Sequence, residues 1–309
     1  MLSNKTKILA VVGPTCTGKS ALALTLAAQF DAEIINADSM QVYRHFTIGT
    51  AKPDTVVLGA IPHHLIDIAE AEEDFNAALF VEKADRAISE ITARGKLPIL
   101  VGGTGLYLRA LTYGLFKAPS DTAIREELRD EYDRDPLGFY ERLKEIDYAY
   151  AMRISFKDRV RAVRAMEVFR LTGSPMSELE KEHGFREARY DMLKIGLTGE
   201  REELYRRING RVEEMLERGW VEEVKGLIAM GYDEAAKPFG SIGYREILLY
   251  IKGEIPYEVM VEDIKKHTRH YAKRQVTWFS KEKEVNWFSY PRQTRAIEEK
   301  IKEFLGSWS

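Results

Sequence analysis

The stretch Gly13-Pro14-Thr15-Cys16-Thr17-Gly18-Lys19-Ser20 decides the fold of this chain. It follows an apolar run at residues 8–12 and precedes a helix-like stretch at residues 21–30. Glycines at both ends allow backbone N–H groups to converge on phosphate oxygens, and the Lys19 ammonium adds positive charge. The Ser20 hydroxyl is placed to hold a magnesium ion at a helix N-terminus. The order strand, loop, helix therefore predicts that residues 13–20 bind a diphosphate.

Length and composition predict a soluble globular protein with two structural units. A chain of 309 residues with 45% hydrophobic content can bury a large core. Its longest apolar runs, at residues 8–12 and 97–101, are far shorter than the roughly 20 residues of a membrane span, and no signal-peptide pattern is present. The single cysteine, Cys16, excludes an internal disulfide framework. We therefore expect a cytoplasmic monomer that does not bind membranes.

Positive charge is concentrated in two segments, although the net charge of the chain is −3. Residues 153–170 hold six Lys/Arg against two carboxylates, and residues 264–283 hold seven against one. The net charge argues against a uniformly basic nucleic-acid binder. The two segments instead predict one side that faces a polyanion.

The first hundred residues alternate strand-like and helix-like segments. Strands are predicted at residues 8–12, 33–36 and 97–101, and helices at residues 19–30, 76–94 and 104–113. Such alternation is typical of a parallel sheet with helices on both faces, in which ligands bind beyond the carboxyl ends of the strands. We therefore expect the chemistry at residues 13–20, 38–43 and 102–107.

The pattern changes to helical periodicity with many charges at residues 121–187. A strand-like segment at residues 192–197 then returns the chain to the sheet, and helices are predicted near residues 201–218, 221–230 and 257–281, with a glycine-rich loop at residues 238–245. The predicted fold is α/β: a P-loop NTPase-like parallel sheet flanked by helices, with an inserted all-helical domain. Residues 1–118 and 190–309 form the core, and residues 119–189 form the insertion.

A carboxylate follows the second predicted strand, whereas none follows the third. The strand at residues 97–101 ends in Gly102-Gly103-Thr104, where a nucleoside triphosphatase places an aspartate that helps to hold magnesium. Ordinary ATP hydrolysis is therefore disfavoured. Asp38, beside the phosphate loop at the sheet edge, is placed to deprotonate a substrate atom. A helix cap or an indirect magnesium contact is the alternative role for Asp38.

Seven stretches resemble, in order and spacing, the family of bacterial tRNA dimethylallyltransferases, or tRNA isopentenyltransferases. They are GPTCTGKS, NADSMQVYRHFTIGTAKP, HHLID, VGGTGLYLRAL, RAMEV, IGYREI and TRHYAKRQVTWF, and they extend over nearly the whole chain. The resemblance implies transfer of a dimethylallyl group from dimethylallyl diphosphate to N6 of an adenosine. That adenosine lies 3′-adjacent to the anticodon in tRNAs that read codons beginning with U.

The resemblance also implies roles for residues of the site. The phosphate loop would bind the prenyl diphosphate as leaving group together with Mg²⁺, and Asp38 would accept the N6 proton. Thr15, Lys19 and Arg269 would complete the catalytic set. Arg274 is a second candidate cation for the diphosphate, and the sequence leaves open which of these two arginines contacts it.

The target base must leave the stacked anticodon loop to reach the site. The residues that the resemblance implies for tRNA contact are Asp38, Ser39, Met40, Gln41, Thr104, Val160, Arg161, Ala162, Val163, Arg164, Gly240, Ser241, Ile242, Gly243, Tyr244, Arg245, Lys273, Arg274, Gln275 and Trp278. The inserted helical domain is expected to bind the anticodon stem-loop. Many family members have Gln where this chain has Val160. The direct base contact that the side-chain amide of Gln would offer is therefore not expected here.

Three other functions remain open from the residues. A P-loop kinase for a small molecule would explain the loop and the α/β pattern, but not the helical insertion or the second basic segment. An adenylate isopentenyltransferase, which prenylates free AMP, ADP or ATP, would share the loop and the base without needing residues 121–187. An RNA-binding module with a relic loop would bind RNA without turnover.

Overall fold

The protein, described from a computed structural model, forms two compact units. The structure describes residues 5–116, 118–184, 187–282 and 284–306. The first unit comprises Met1–Thr112 and Arg189–Ser309, and the second comprises Tyr113–Ala188. Lys117, where the sequence pattern changes, and Lys283 of the second basic segment lie outside the described residues. Among the helices described, none has the length and apolar composition needed to cross a membrane.

A six-stranded parallel sheet forms the centre of the first unit. Its strands are β1 (Lys7–Val12), β2 (Ala32–Asn36), β3 (His63–His64), β4 (Leu97–Gly102), β5 (Asp191–Thr198) and β6 (Val285–Ser289), in the spatial order β3-β2-β4-β1-β5-β6. Strands β2 and β4 are buried throughout, as parallel strands are when helices cover both faces. The predicted α/β fold class is confirmed.

Helices surround this sheet and build the second unit. In chain order they are α1 (Lys19–Gln29), α2 (Thr55–Ala60), α3 (Ala77–Ala93), α4 (Gly105–Tyr113), α5 (Thr122–Arg134), α6 (Pro136–Ile146), α7 (Tyr148–Ala151), α8 (Arg159–Thr172), α9 (Met176–His183), α10 (Arg201–Glu217), α11 (Trp220–Ala229), α12 (Tyr244–Ile251), α13 (Tyr257–Phe279) and α14 (Thr294–Leu305). The apolar sides of α1 and α14 pack on one face of the sheet. Those of α3, α4 and α10–α13 pack on the other.

The phosphate loop lies at the carboxyl edge of the sheet, between β1 and its neighbour β4. Strand β2, which follows β1 in the chain, lies on the far side of β4. Such a switch point is where open α/β sheets bind ligands. Two glycines shape the loop. A Cβ on Gly13, whose φ is +132°, would lie 2.5 Å from the Leu197 carbonyl oxygen, and Gly18 begins α1 with a left-handed φ of +92°. Only glycine combines these conformations with this close approach.

The second unit, helices α5–α9, packs around α8. A side-chain cap from Asp158 begins α8, and Gly173 in the left-handed conformation ends it. The buried face of α8 includes a charged residue, Glu167, which is 0% exposed. Its carboxylate accepts hydrogen bonds from Arg125 Nη2 at 3.1 Å, from Arg164 Nη1 at 2.7 Å and from the Asp121 amide at 3.0 Å. The buried charge is therefore compensated by charge-assisted hydrogen bonds.

We expect Glu167→Gln to destabilise the second unit by about 2 kcal/mol, because two arginines lose their buried anionic partner. Burial raises the pKa of Glu167, but the hydrogen bonds from Arg125 and Arg164 outweigh burial, and the pKa lies below its ordinary 4.5. The stability that this carboxylate contributes is thus complete above pH 4.5 and is lost as the pH falls through the lower folded-state pKa.

Urea unfolding with hydrogen exchange of amides 121–183 measures this loss, and Glu126→Gln, at an exposed position of α5, is the control. Equal stability of the two variants at pH 7 would contradict the role given to Glu167.

Candidate active site

The phosphate loop is braced by its own side chains. Thr17 Oγ1 and Lys19 Nζ both donate to the Pro14 carbonyl, at 2.9 and 2.7 Å. Thr17 is buried, so its hydroxyl supports the loop from inside. Burial lowers the pKa of Lys19 to about 8; Asp38 opposes this shift and Arg211 adds to it. A bound diphosphate would favour the charged form of Lys19 further.

Gln275 joins the phosphate loop to the end of β4. Its Oε1 accepts a hydrogen bond from the Thr15 amide at 2.9 Å, and its Nε2 donates to the Gly103 carbonyl at 3.0 Å. The side chain is 5% exposed. The expected tRNA contact of Gln275 is therefore corrected, because both ends of its amide are engaged inside the protein.

Asp38 sits in a turn just beyond β2, held by Asn36. The Asn36 Oδ1 accepts the Asp38 amide at 3.0 Å, and its Nδ2 donates to the Leu65 carbonyl at 2.9 Å. Asp38 Oδ1 accepts the Met40 amide at 2.8 Å. This turn fixes the direction of the carboxylate through Oδ1, and Oδ2 is the oxygen that can accept a substrate proton.

Residues from three elements surround the Asp38 carboxylate. Thr104 Oγ1 accepts the Ser39 amide at 3.2 Å, which ties the turn to the start of α4. Tyr271 of α13 also lines this site: its burial raises the pKa of its phenol, and the charge of Asp38 adds to the shift. Tyr271 stays protonated and is a hydrogen-bond donor in this site. It was not among the residues that the sequence predicted.

One cavity of about 1100 Å³ connects the phosphate loop with Asp38. Its wall includes the predicted residues Thr15, Cys16, Gly18, Lys19, Ser20, Asp38, Ser39, Met40, Gln41, Gly240, Ser241, Ile242, Arg245 and Arg274. The residues predicted to bind the diphosphate and the predicted proton acceptor, Asp38, thus face the same space.

The structure separates the two candidate cations. Arg274 lines the cavity, whereas Arg269 is not among the described residues that line it. Arg269 Nη1 instead donates to Asn209 Oδ1 of α10 at 2.8 Å. The sequence left open which of the two arginines contacts the diphosphate. The Arg269 guanidinium joins α13 to α10, so its contacts do not support the catalytic role expected of it.

Two cavity arginines on α10 were missed from the sequence. Arg207 and Arg211 both line the cavity, and Arg211 Nη1 lies 3.4 Å from Thr15 Oγ1 and 3.6 Å from Cys16 Sγ. Their spacing of four residues places them on one side of the helix. The signal was present, because α10 follows the carboxyl end of β5, and ligands are expected at this edge of the sheet.

Part of the glycine-rich segment predicted to contact tRNA belongs to the core. Gly243 and Tyr244 are buried, and Tyr244 OH donates to Glu223 at 2.6 Å. Trp278 packs so closely on α4 that a Cβ at Gly105 would lie 2.1 Å from its indole. We therefore correct the expected RNA contacts of Gly243, Tyr244 and Trp278 to packing roles. Lys273 is exposed on α13.

Residues 160–164, which were expected to contact RNA, include both exposed and buried side chains. Val160 and the Arg161 side chain are 79% and 56% exposed, whereas Ala162 and Val163 are 0% and 3% exposed. Arg164 donates to the carbonyls of Ala118 and Pro119 as well as to Glu167. Direct side-chain contact with RNA is thus compatible with Val160 and Arg161. Ala162 and Val163 are core residues, and Arg164 holds the start of the second unit.

The chain matches two family models. The model described as IPP transferase matches residues 41–282, and the one described as isopentenyl transferase matches residues 6–70. It is 49% identical over 306 residues to "tRNA dimethylallyltransferase 2" of Geotalea uraniireducens, with 98% of each chain covered. It is 50% identical over 295 residues to "tRNA dimethylallyltransferase" of Geobacter metallireducens, with 95% of this chain and 96% of the relative covered.

Solved structures agree with these relatives. A tRNA isopentenylpyrophosphate transferase from Bacillus halodurans superposes with a TM-score of 0.73 at 37% identity, with 98% of each chain covered. A eukaryotic dimethylallyltransferase acting on tRNA superposes with a TM-score of 0.82 at 29% identity, with 96% of this chain and 80% of that chain covered. On the family model, the sequence relatives and the shared fold together, this chain belongs to the IPP transferase family, the family of the tRNA dimethylallyltransferases.

Proposed function

We propose that this protein transfers a dimethylallyl group from dimethylallyl diphosphate to N6 of the adenosine 3′-adjacent to the anticodon, in tRNAs that read codons beginning with U. The observation that carries the proposal is the single cavity that contains both the phosphate loop and Asp38. At the carboxyl end of β4, where a nucleoside triphosphatase places its magnesium-binding carboxylate, this cavity has Gly102 and Gly103. The site is therefore suited to a reaction in which the C–O bond of the donor breaks and the diphosphate is the leaving group.

The reaction joins the adenine nitrogen to the prenyl carbon. The N6 lone pair forms the new C–N bond, the C–O bond of the donor breaks, and its electron pair leaves on the diphosphate. Asp38 Oδ2 takes the N6 proton, since Oδ1 is engaged with the Met40 amide. Lys19, Arg211 and Arg274 stabilise the charge that develops on the diphosphate.

Magnesium fits this site as a companion of the diphosphate. In the parts of the chain that the structure describes, no group of three or more His, Cys, Asp or Glu side chains is arranged to hold a metal ion. Mg²⁺ is commonly bound by one or two protein oxygens together with phosphate oxygens and water. Ser20, an exposed hydroxyl at the start of α1 in the cavity wall, would be its protein ligand. The ion would neutralise charge on the departing diphosphate.

RNA binding is assigned to exposed basic and polar groups of each unit. In the second unit, Val160 and Arg161 form an exposed edge of α8. In the first unit, Ser241, Arg245 and Lys273 are accessible near the ends of α12 and α13. Because phosphates dominate such contacts, we expect RNA affinity to fall with salt.

The adenylate isopentenyltransferase is the alternative with a specific observation in its favour, the isopentenyl transferase model that matches residues 6–70. This match covers the phosphate loop and Asp38, which both reactions need. It leaves unexplained the second unit, a five-helix body with its own core. The tRNA reaction accounts for both parts of the chain.

The acceptor decides between these functions. With labelled dimethylallyl diphosphate and magnesium, we expect label on an anticodon stem-loop with adenosines at the three positions that begin just 3′ of the anticodon, and none on AMP. EDTA should abolish transfer, and added magnesium should restore it. Label on AMP alone would assign the adenylate reaction, and ATP-dependent phosphorylation without prenyl transfer would assign a kinase.

Asp38→Asn should lower kcat by roughly 10²- to 10⁴-fold, because the amide cannot accept the N6 proton. Binding of donor and stem-loop should stay within about threefold of wild type, since the turn keeps its hydrogen-bond acceptor. Single-turnover kinetics and RNA filter binding separate the two effects. Asp54→Asn is the control, because Asp54 lines the same cavity but caps α2 through the Val57 amide. Rapid single-turnover transfer by Asp38→Asn would remove Asp38 as the base.

Arg211→Ala and Arg274→Ala should each raise the donor KM or lower kcat by about tenfold or more, because each removes a cation that faces the diphosphate. Arg269→Ala should change the donor KM less than threefold, since Arg269 is held by Asn209. Steady-state kinetics with varied donor at saturating stem-loop compare the three. A larger donor defect in Arg269→Ala than in Arg211→Ala would reverse this assignment.

A further inference from the structure

A tight turn at residues 47–52 follows the Asp38 segment, and its residues Gly49, Thr50, Ala51 and Lys52 line the cavity. The Ala51 amide donates to the Ile48 carbonyl, and the Lys52 amide donates to the Thr47 carbonyl. Ala51 has a left-handed φ of +53°, a conformation that costs a residue with a Cβ about 1 kcal/mol. Contacts from outside the turn are therefore needed to hold this shape.

Glu223 of α11 supplies those contacts. Its Oε2 accepts the amides of Thr47 at 3.1 Å and Ile48 at 2.6 Å, and its Oε1 accepts the Gly49 amide at 3.4 Å. These three amides resemble the first amides of a helix, which have no partner within their own turn. One carboxylate thus holds the amide side of the turn.

The contact between Glu223 and the turn is close and rigid. Tyr244 OH donates to Glu223 Oε1 at 2.6 Å, which fixes the carboxylate from α12. A Cβ on Gly49 would lie 2.1 Å from Trp220 Nε1 and 2.5 Å from the Tyr244 ring. The backbone of the turn therefore rests directly on α11 and α12.

The carbonyl side of the same turn orients Gln41. Gln41 Nε2 donates to the Thr50 carbonyl at 3.0 Å and to the Ala51 carbonyl at 3.3 Å. The opposite amide orientation would place Oε1 against two carbonyl oxygens, so the network fixes which end is which. No hydrogen bond to Oε1 is found among the described residues, and Gln41 lines the cavity three residues after Asp38. Its Oε1 is thus a preset acceptor for an N–H of the bound base.

We propose that Glu223 is a positioning residue for the acceptor adenosine: it holds the turn at residues 47–52, which holds Gln41. Adenine N6 carries two hydrogens. One goes to Asp38, and Gln41 Oε1 accepts the other, which directs the nitrogen lone pair toward the prenyl carbon. Glu223 touches neither substrate and acts on the base only through the turn. This inference rests on the proposed tRNA reaction.

The test is Glu223→Gln, which places an NH₂ group against backbone N–H donors while keeping the size of the side chain. We expect the stem-loop KM to rise about tenfold or more and the donor KM to stay within about twofold, because the phosphate loop is held separately by Gln275. Glu222→Gln is the matched control, since the adjacent Glu222 is 70% exposed and pairs only with Lys225 among the described residues. It should behave as wild type.

A double-mutant cycle with Gln41→Ala distinguishes positioning from general stability. If Glu223 acts through Gln41, then Glu223→Gln adds no further rise in stem-loop KM in the Gln41→Ala background. Additive effects, or equal rises in the KM of both substrates, would overturn the proposal. Wild-type transfer to the stem-loop is measured in parallel: its absence would refute the proposed function, whereas normal wild-type transfer with an unchanged Glu223→Gln would refute only this inference.

Should Glu223→Gln lower the thermal midpoint by more than about 5 °C, Tyr244→Phe replaces it in the cycle. This change removes one donor from Glu223 Oε1 and keeps the ring that packs on Gly49. We expect a two- to threefold rise in stem-loop KM that disappears in the Gln41→Ala background. No rise, or a rise independent of Gln41, would again overturn the proposal.

Discussion

Two hydrogen bonds of the buried Gln275 amide hold the ends of the neighbouring strands β1 and β4 in the geometry on which the site depends. One bond takes the Thr15 amide of the phosphate loop, and the other reaches the Gly103 carbonyl beyond β4. Without this side chain the buried Gly103 carbonyl would lose its partner, at a cost of about 1–3 kcal/mol. The Thr15 amide would lose the bond that joins the phosphate loop to α13. The side-chain amide of Gln275, on α13, thus fixes the position of the phosphate loop relative to the end of β4.

The remaining site follows from this arrangement. Burial lowers the pKa of Lys19 to about 8, and Arg211 adds to this shift while Asp38 opposes it. A bound diphosphate would favour the charged form of this ammonium, which suits the site to an anionic ligand. Asp38 lines the same cavity, so the proposed leaving-group stabilisation and proton transfer would share one chamber.

Local patterns predicted most of the first unit, and the failures have physical causes. Strands β1, β2 and β4 are short and mostly apolar, and their bounds were predicted to within a residue or two. Strand β3 was not predicted because it has only two residues, both histidines, and β6 because it is a half-exposed edge strand. Helix α12 was not predicted either: its first two residues were assigned to the glycine-rich loop at residues 238–245, since the glycines before Tyr244 hide its start.

Local periodicity and contiguous motifs were enough to predict the phosphate loop, the parallel sheet, the helical character of residues 121–187 and the place of Asp38 just beyond β2. Tertiary structure decided which polar groups face the cavity. Arg269, Arg274 and Gln275 lie on one helix within seven positions, yet one is held by Asn209, one lines the cavity and one is buried beneath the phosphate loop. Arg211 and Glu223 acquire their roles from partners about 170 to 200 residues away in the chain. No local pattern encodes such contacts, because they arise only when the helices pack onto the sheet.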